Sequence, residues 1–363
     1  MKYFDEDGTT IYNGDCLEVL KGIQNDSVDC VITSPPYYQL RFYSGIPDYV
    51  WGSDKSCEHE FDLTKTKLMH ENRNNRSGTQ VEVIGNPTGT TFINRESKIR
   101  QGFCIKCGAW KGQLGLEPTY QLYLDHMIEI MVELKRVIKP SGSIWINLGD
   151  SYSTLSGGIR GLTRCDKQYG QISHKAVMGQ GFDQTKQEDY PKKSLMLIPH
   201  RFAIRCIDEL GLILRNDCVW AKRNGMPESV TDRFSKKHEF VFFFVKEQKY
   251  YFDLDGVRDK CTDQNRLTRR LLDPNNNNRM YKRGEDGSKA FGINPLTAEK
   301  ARLNMLGKGK NPGDVSDFWD VPTQPSSAKH YATFNSELID KPILAGCPEG
   351  GVILDPFCGT GTT

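Results

Sequence analysis

The stretch DCVITSPPYYQL, residues 29–40, runs from an apolar segment straight into a hydroxyl, two prolines and an aromatic ring. Its first part, with the preceding valine, predicts a buried strand over residues 28–33. Two consecutive prolines cannot continue a strand ladder and do not start a helix comfortably, so the turn after the strand is rigid and open. Pro-Pro also ends strands without any further role. These residues alone therefore leave a structural and a functional interpretation open.

Outward from this strand, apolar runs alternate with helical patterns, which is typical of an α/β sheet. Residues 119–138 follow Pro118 and carry apolar side chains at helical spacing, which predicts a helix. A second amphipathic helix is predicted over residues 198–210. Further strands are predicted over residues 143–148, 212–220, 239–245 and 351–354.

The amino-acid composition restricts the classes of protein to which this chain can belong. The 363 residues are 37% hydrophobic and 26% charged, as in ordinary globular proteins, and are enough for one large domain with insertions or for two domains. No apolar run approaches the roughly 20 residues of a membrane span, and the acidic start MKYFDEDG is unlike a signal or transit peptide. The 11 cysteines are scattered, which suits buried thiols in a reducing compartment. We therefore expect a cytoplasmic protein without a membrane partner.

Charge is unevenly distributed along the chain. The net charge is only +2, but residues 258–310 hold 13 Lys or Arg against 6 Asp or Glu. Such a basic segment is either a phosphate-binding surface or a solvated loop. It belongs to one of three polar insertions between the predicted elements, which cover residues 57–116, 151–190 and 257–314.

The chain ends in DPFCGTGTT, residues 355–363, a glycine-rich turn directly after an apolar run. In doubly wound sheets such a turn lets a cofactor approach the backbone at the carboxyl end of a strand. The sequence contains neither GxGxxG nor a GKS or GKT motif, which disfavours dinucleotide and nucleoside-triphosphate sites of the usual kinds.

Together, the glycine turn and the Ser-Pro-Pro-Tyr turn resemble the motifs of the DNA amino-methyltransferases, which use S-adenosylmethionine to methylate cytosine N4 or adenine N6. Residues 13–16 (NGDC), 220–222 (WAK), 226–229 (MPES), 238–239 (HE) and 330–344 match further blocks of the family. The catalytic motif precedes the glycine turn, as in the β class. The resemblance implies a Rossmann-like methyltransferase fold whose mixed sheet ends in an antiparallel hairpin, interrupted by the polar insertions.

The resemblance also assigns roles to individual residues. It makes Ser34, Pro35, Pro36 and Tyr37 the catalytic motif. It places the cofactor on Asp15, Thr333, Phe334, Asp355, Pro356, Phe357, Gly359, Gly361 and Thr362. The methyltransferase core is expected to comprise residues 1–56, 117–150, 191–256 and 315–363. Residues 151–190 and 257–314 are expected to recognise the DNA target, with Arg269, Arg270, Lys282 and Arg283 as candidate contacts.

The Ser-Pro-Pro-Tyr motif suits this chemistry for a physical reason. An exocyclic amino group is a poor nucleophile because its lone pair is delocalised into the ring. Ser34 Oγ and the Pro35 carbonyl can accept its two N–H bonds and so favour a pyramidal nitrogen. Tyr37 offers a face on which an extruded base can stack, since the target atom is inaccessible inside a duplex.

Within the family, this motif usually accompanies cytosine N4, which is the preferred target, with adenine N6 as the alternative. The family also carries an acidic residue about 20 residues beyond the glycine turn, whereas this sequence reaches Thr363 inside the turn. A catalytically incomplete DNA-binding protein is therefore a further alternative. An RNA or protein methyltransferase is a third, disfavoured by the basic insertion. The expected partners are duplex DNA and a cognate restriction endonuclease.

The first insertion carries Cys57-x-His59 and Cys104-x-x-Cys107. Four such ligands in two close pairs suit a tetrahedral structural zinc ion. The 44 residues between the pairs make a long finger, so ordinary loop cysteines are the alternative. Gly108 after the second pair favours a zinc knuckle over a redox pair. Residues 57–116 are thus predicted to bind zinc.

Overall fold

A computed structural model describes residues 2–39, 47–52, 56–61, 66–70, 96–100, 102–153, 190–191, 193–225, 227–258, 315–323, 335–359 and 361–363. Its helices are α1 (Cys16–Lys21), α2 (Tyr120–Val137), α3 (Ile198–Asp208) and α4 (Ser336–Gly346). Its strands are β1 (Lys2–Glu6), β2 (Thr9–Tyr12), β3 (Val28–Thr33), β4 (Tyr49–Trp51), β5 (Thr66–His70), β6 (Glu96–Arg100), β7 (Gly102–Phe103), β8 (Trp110–Gly112), β9 (Ile138–Leu148), β10 (Ile213–Ala221), β11 (His238–Val245), β12 (Phe318–Asp320) and β13 (Ile353–Leu354).

A six-stranded sheet in the order β12-β10-β11-β9-β3-β13 organises the fold. Strand β3 lies parallel to both of its neighbours, β9 and β13, and all six of its residues are buried. Burial on both faces explains why its sequence, VDCVIT, is apolar with little alternation. Strands β10 and β11 form an antiparallel ladder, while β12 lies parallel to β10. The predicted α/β class, with a mixed sheet and an antiparallel hairpin, is confirmed.

The boundary predicted between α2 and the following strand differs from the structure. Residues 139–142 (KPSG) were expected to separate α2 from a strand starting at Ser143, but β9 begins at Ile138, directly after the helix. Val28 pairs with Ile138, and the register then shifts so that Cys30 pairs with Ser143. The four residues therefore form an irregularity within the strand, which accommodates a proline that a regular ladder would not.

The chain forms two compact units. The sheet unit comprises residues 25–33, 137–146 and 212–363, and the helical unit comprises residues 1–24, 34–136 and 147–211. In the sheet unit, one apolar cluster joins the sheet to α4, and the rings of Trp145 and Phe243 stack within it at 4.0 Å. In the helical unit, β4, β8 and β7 form a small antiparallel sheet.

Side-chain hydrogen bonds stabilise the ends of two helices in the helical unit. Asp15 caps the start of α1, and Thr119 Oγ1 accepts a hydrogen bond from Leu122 N at the start of α2. At the other end of α1, Arg136 donates to the carbonyls of Leu20 and Ile23.

Among the helices that the structure describes, none has the length and apolarity that crossing a membrane requires.

Candidate active site

The predicted catalytic motif begins at Ser34, the residue after the end of β3. Within the helical unit, Tyr37 Oη donates a hydrogen bond of 2.9 Å to Asn147 Oδ1. Ser34 Oγ lies 3.4 Å from both Tyr37 Oη and Asn147 Oδ1. Contacts of that length are weak for a hydroxyl, so the Tyr37 ring is fixed more firmly than the Ser34 hydroxyl, which can turn towards a substrate.

Asn147 did not emerge as a site residue from the sequence. It follows an apolar strand core in SIWINLGD, and its side chain is only 3% exposed. A buried amide needs partners, since leaving it unsatisfied costs about 1–3 kcal/mol. An asparagine at the end of an otherwise apolar strand is the signal that could have identified it.

The predicted catalytic motif lies in a turn formed by residues 34–39, called the catalytic turn below. Residues far along the chain form hydrogen bonds with the backbone of this turn. Tyr123, fully buried in α2, donates from its hydroxyl to the Pro36 carbonyl at 2.9 Å. Gln39 N donates to the Gly115 carbonyl at 2.6 Å. Gly115 has φ +90°, and a Cβ there would lie 2.9 Å from the Tyr37 carbonyl oxygen. Only glycine allows both this backbone conformation and this close approach.

Gly115 is itself positioned by a buried carboxylate. Glu117 Oε2 accepts a hydrogen bond of 2.8 Å from Gly115 N, and Glu117 Oε1 lies 2.8 Å from His126 Nδ1. Burial raises the pKa of the Glu117 carboxyl above its ordinary value, although the contact with His126 opposes that shift. The side chains of both residues are at most 5% exposed.

A hydrogen-bonded stem joins residues 150–153 to residues 193–198, which flank the segment 154–189 in the sequence. Tyr152 and Leu195 form an antiparallel bridge, and Ser153 N donates to the Ser194 carbonyl at 2.8 Å. Asp150 Oδ1 accepts from Ile198 N at 3.0 Å, at the start of α3. Beside this stem, Ser151 Oγ donates to the Tyr38 carbonyl at 3.3 Å.

The glycine turn belongs to the sheet unit and is organised by Asp355. Its carboxylate accepts from Thr33 Oγ1 at 2.5 Å, from Phe357 N at 3.0 Å and from Thr363 Oγ1 at 2.8 Å. Burial raises the pKa of Asp355, and these three donors oppose the rise. Gly359 and Gly361 have φ +53° and +74°. A Cβ at Gly361 would meet nothing within 4 Å, so its backbone is open to a ligand.

Asp15, predicted to contact the cofactor, is the N-cap of α1. Its Oδ1 accepts from Leu17 N at 2.9 Å and from Glu18 N at 3.4 Å. Burial raises the pKa of Asp15, and the two backbone donors partly offset this. Its visible role is to start the helix, and its contact with a cofactor remains a prediction.

Several other predicted residues now have a position. Pro356, Phe357 and Thr362 lie in the glycine turn with Asp355, and Lys222 pairs with Glu239 across the β10–β11 hairpin. Cys57, His59, Cys104 and Cys107 come together in the helical unit, with their ligand atoms all within 4.8 Å of one another. The remaining candidates lie outside the described residues: Thr333, Phe334, Arg269, Arg270, Lys282 and Arg283.

Residues 28–363 match a family model described as DNA methylase, for enzymes of the N6 and N4 type. The chain belongs to the DNA methylase family. This DNA methylase is 28% identical over 355 residues to the Type II methyltransferase M.Cfr9I of Citrobacter freundii. The aligned region covers 98% of this chain and 78% of that protein. It is 25% identical over 351 residues to M.SmaI of Serratia marcescens, covering 96% of this chain and 79% of that one. The predicted family is confirmed.

Among solved structures, the DNA methylase is similar to the PvuII DNA methyltransferase, which is described as cytosine-N4-specific. The TM-score is 0.46 at 13% sequence identity, over 96% of this chain and 74% of that one.

Proposed function

We propose that this DNA methylase transfers a methyl group from S-adenosylmethionine to N4 of cytosine at a specific site in duplex DNA. The observation that carries the proposal is the arrangement of the catalytic motif. A neutral hydroxyl, Ser34, stands beside a tyrosine whose own hydroxyl is bonded to Asn147 at 2.9 Å.

Ser34 supports this chemistry through hydrogen bonding to the amino group. Its Oγ and the Pro35 carbonyl can each accept one amino N–H, which directs the nitrogen lone pair away from the ring. The two prolines fix the backbone that carries the acceptors, and the bonds from Tyr123 and to Gly115 hold the turn in place. Preorganisation of this kind lowers the activation free energy because the backbone does not have to rearrange during the reaction.

Tyr37 supports extrusion of the target base. A half-buried tyrosine ring fixed at its hydroxyl by Asn147 presents a rigid face for stacking. Stacking on an aromatic side chain contributes about 1–3 kcal/mol per base, which helps offset the cost of unstacking. Fixing the ring in advance also reduces the side-chain entropy lost on binding.

The glycine turn fits the cofactor. S-adenosylmethionine supplies an electrophilic methyl group on a sulfonium. Gly359 and Gly361 present backbone in a conformation that L side chains rarely adopt, with open space at Gly361. Asp355 already accepts three hydrogen bonds, so its part in cofactor binding is to shape the turn. Phe357, Pro356 and Thr362 complete the turn, and Asp15, Thr333 and Phe334 are proposed to contact the cofactor elsewhere.

Duplex DNA is the proposed macromolecular partner. Residues 151–190 and 257–314 are proposed to read the target site, with Arg269, Arg270, Lys282 and Arg283 contacting phosphates or bases. The relatives M.Cfr9I and M.SmaI are named Type II methyltransferases. A restriction endonuclease of the same specificity is accordingly proposed as the functional counterpart.

Mass spectrometry of nucleosides tests the proposal. Plasmid DNA from a host without DNA methylation is incubated with the protein and S-adenosylmethionine carrying a deuterated methyl group. We expect labelled N4-methylcytosine, and much less of it from the Ser34→Ala protein. Labelled N6-methyladenine alone would replace cytosine by adenine as the target while preserving the role of Ser34. Absence of any labelled nucleoside would contradict methyl transfer by this chain.

A further inference from the structure

The cluster of Cys57, His59, Cys104 and Cys107 lies outside the methyl-transfer chemistry. We propose that these four residues bind one structural Zn²⁺ ion, which clips residues 56–61 to residues 102–112 and thereby supports the catalytic turn. The first half of this proposal, metal binding, is independent of the proposed function, whereas the second half rests on it.

The spacing of the ligand atoms fits a tetrahedral zinc site. Cys57 Sγ lies 3.9 Å from Cys104 Sγ, and Cys107 Sγ lies 3.4 Å from His59 Nδ1. With zinc bonds of about 2.3 Å to sulfur and 2.0 Å to nitrogen, a tetrahedron has sulfur–sulfur edges of about 3.8 Å and sulfur–nitrogen edges of about 3.5 Å. Both observed distances agree with these edges.

A disulfide does not account for the cluster. Bonded sulfurs lie about 2.05 Å apart, whereas the Sγ atoms of Cys57 and Cys104 are 3.9 Å apart and all four residues converge on one point. Three thiolates and one imidazole form a soft, closed donor set, which selects zinc over magnesium or calcium. A closed four-ligand site leaves no position for substrate, so the ion is structural.

The backbone around the cluster holds the ligand pairs in register. Phe61 and Cys104 form an antiparallel bridge, and Ile105 N donates to the Glu60 carbonyl at 2.9 Å. The Cys104 carbonyl accepts from Gly108 N at 2.8 Å, which closes the turn that carries the second pair. The bridge and the bond from Ile105 N join segments more than 40 residues apart, and a metal ion would fix this junction.

Packed side chains link this clip to the catalytic turn inside the helical unit. Trp110, three residues after Cys107, stacks on His126 with ring centroids 5.5 Å apart, and Trp51 stacks on the same ring at 4.4 Å. Both tryptophans are only 2% exposed.

His126 continues the link through hydrogen bonds. It contacts Glu117, which accepts from Gly115 N, and the Gly115 carbonyl accepts from Gln39 N. The path from the clip to residue 39 thus consists of buried rings and short hydrogen bonds. A shift of Trp110 is therefore expected to reach the backbone behind Tyr37.

Metal content is the first test. Protein purified without chelators is expected to contain about one zinc ion per chain by inductively coupled plasma mass spectrometry. The Cys104→Ser, Cys107→Ser double variant is expected to lose it. The matched control is Cys347→Ser, in the sheet unit, where a hydroxyl can donate to the Pro348 carbonyl as the thiol does. Zinc-free wild-type protein, zinc retained by the double variant, or zinc lost from the control would each overturn the site.

A second variant covers the case in which the double variant does not fold. Cys107→His replaces an exposed thiolate by another zinc ligand, so it is expected to keep the metal. In cobalt-substituted protein, the thiolate-to-cobalt absorption should weaken in Cys107→His relative to wild type while the tetrahedral visible bands persist. An unchanged thiolate absorption would exclude Cys107 as a ligand and overturn the four-residue set.

Hydrogen exchange tests the link to the catalytic turn without using methyl transfer. Removing zinc with a chelator is expected to speed amide exchange at least tenfold in residues 104–117 and 34–39, while strands β10 and β11 keep their protection. Readdition of zinc should reverse the change. Faster exchange confined to residues 56–61 and 102–112 would overturn the support of the turn but preserve the metal site.

Discussion

The catalytic turn, residues 34–39, and the glycine turn, residues 355–363, are held by different kinds of support. The first depends on residues far along the chain, namely Tyr123, Asn147 and Gly115. The second depends largely on itself, since Asp355 accepts from Phe357 N and Thr363 Oγ1, with Thr33 as its distant donor. One turn is fixed by tertiary structure and the other mainly by local sequence.

The two turns also differ in charge. Neutral groups make the described bonds to the catalytic turn, whereas a single half-buried carboxylate, that of Asp355, organises the glycine turn. Neutral acceptors can hydrogen-bond an amino group without placing a full negative charge beside it. A carboxylate accepts several donors at once and can therefore order a short backbone turn.

The largest expected effect tests the catalytic turn. Ser34→Ala should lower kcat about 10²–10³-fold, as for the loss of one preorganised polar contact in a transition state, while DNA affinity stays nearly unchanged. Single-turnover kinetics and a binding titration measure the two quantities separately. Ser316→Ala, which removes an exposed hydroxyl in the sheet unit, serves as the control. Equal kcat in both variants would remove Ser34 from the mechanism.

The next effect tests the glycine turn. Asp355→Ala leaves three donors without their acceptor and should reduce the free energy of unfolding by about 2–3 kcal/mol, with weaker binding of S-adenosylmethionine. Asp355→Asn keeps one acceptor oxygen and should lose less. Chemical denaturation and calorimetric titration of the cofactor provide the measurements. If both variants bind the cofactor as wild type does, the turn does not depend on this carboxylate.

The local structure of the glycine turn was more accessible from the sequence than that of the catalytic turn, because most of its organising residues lie within the motif itself. Asp355, Phe357, Gly359 and Gly361 lie in one short stretch, and the conformation of the turn follows from φ angles and short-range bonds. Tyr123 and Asn147 reach the other turn only through folding, so no local pattern links them to Ser34. Helices α2 and α3 and the strands β3, β9, β10, β11 and β13 were predictable from apolar runs and periodicity, whereas the irregularity at residues 139–142 depends on pairing with β3.

A double-mutant cycle measures how strongly tertiary contacts fix Tyr37. Asn147→Ala and Tyr37→Phe should each lower kcat about tenfold, and the double variant should be little worse than either, because all three lose the same hydrogen bond. The coupling free energy obtained from single-turnover rates is the relevant result. Fully additive effects would show that Asn147 acts on something other than Tyr37.

A smaller change is expected in the free energy of unfolding when one supporting hydroxyl is removed from each turn. Tyr123→Phe removes a fully buried donor to Pro36 and should reduce the free energy of unfolding by about 1 kcal/mol. Thr363→Val removes an exposed donor to Asp355 and should change it by less. Urea denaturation gives both values. A larger loss of unfolding free energy in Thr363→Val than in Tyr123→Phe would mean that the glycine turn contributes more to stability than the catalytic turn.

The smallest expected effect is a pH dependence. The pKa of Asp355 is raised in the folded state, so its contribution to stability is present below the ordinary aspartate range and is lost as pH rises through the folded value. The Asp355→Asn protein has no titrating group at position 355. Its free energy of unfolding relative to that of wild type should therefore increase as pH rises from the acid range towards neutrality. A difference in unfolding free energy between the two proteins that stays constant across that pH range would contradict the raised pKa of Asp355.

The stem formed by residues 150–153 and 193–198 has a consequence for engineering the target preference of this enzyme. Its hydrogen bonds are made by residues outside the segment 154–189, and doubling the length of chain between two joined ends costs only about 0.6 kcal/mol. We therefore expect the stem to tolerate replacement of that segment. If the segment reads the target site, as proposed, grafting the corresponding stretch of a relative onto this stem should transfer part of that relative's sequence preference.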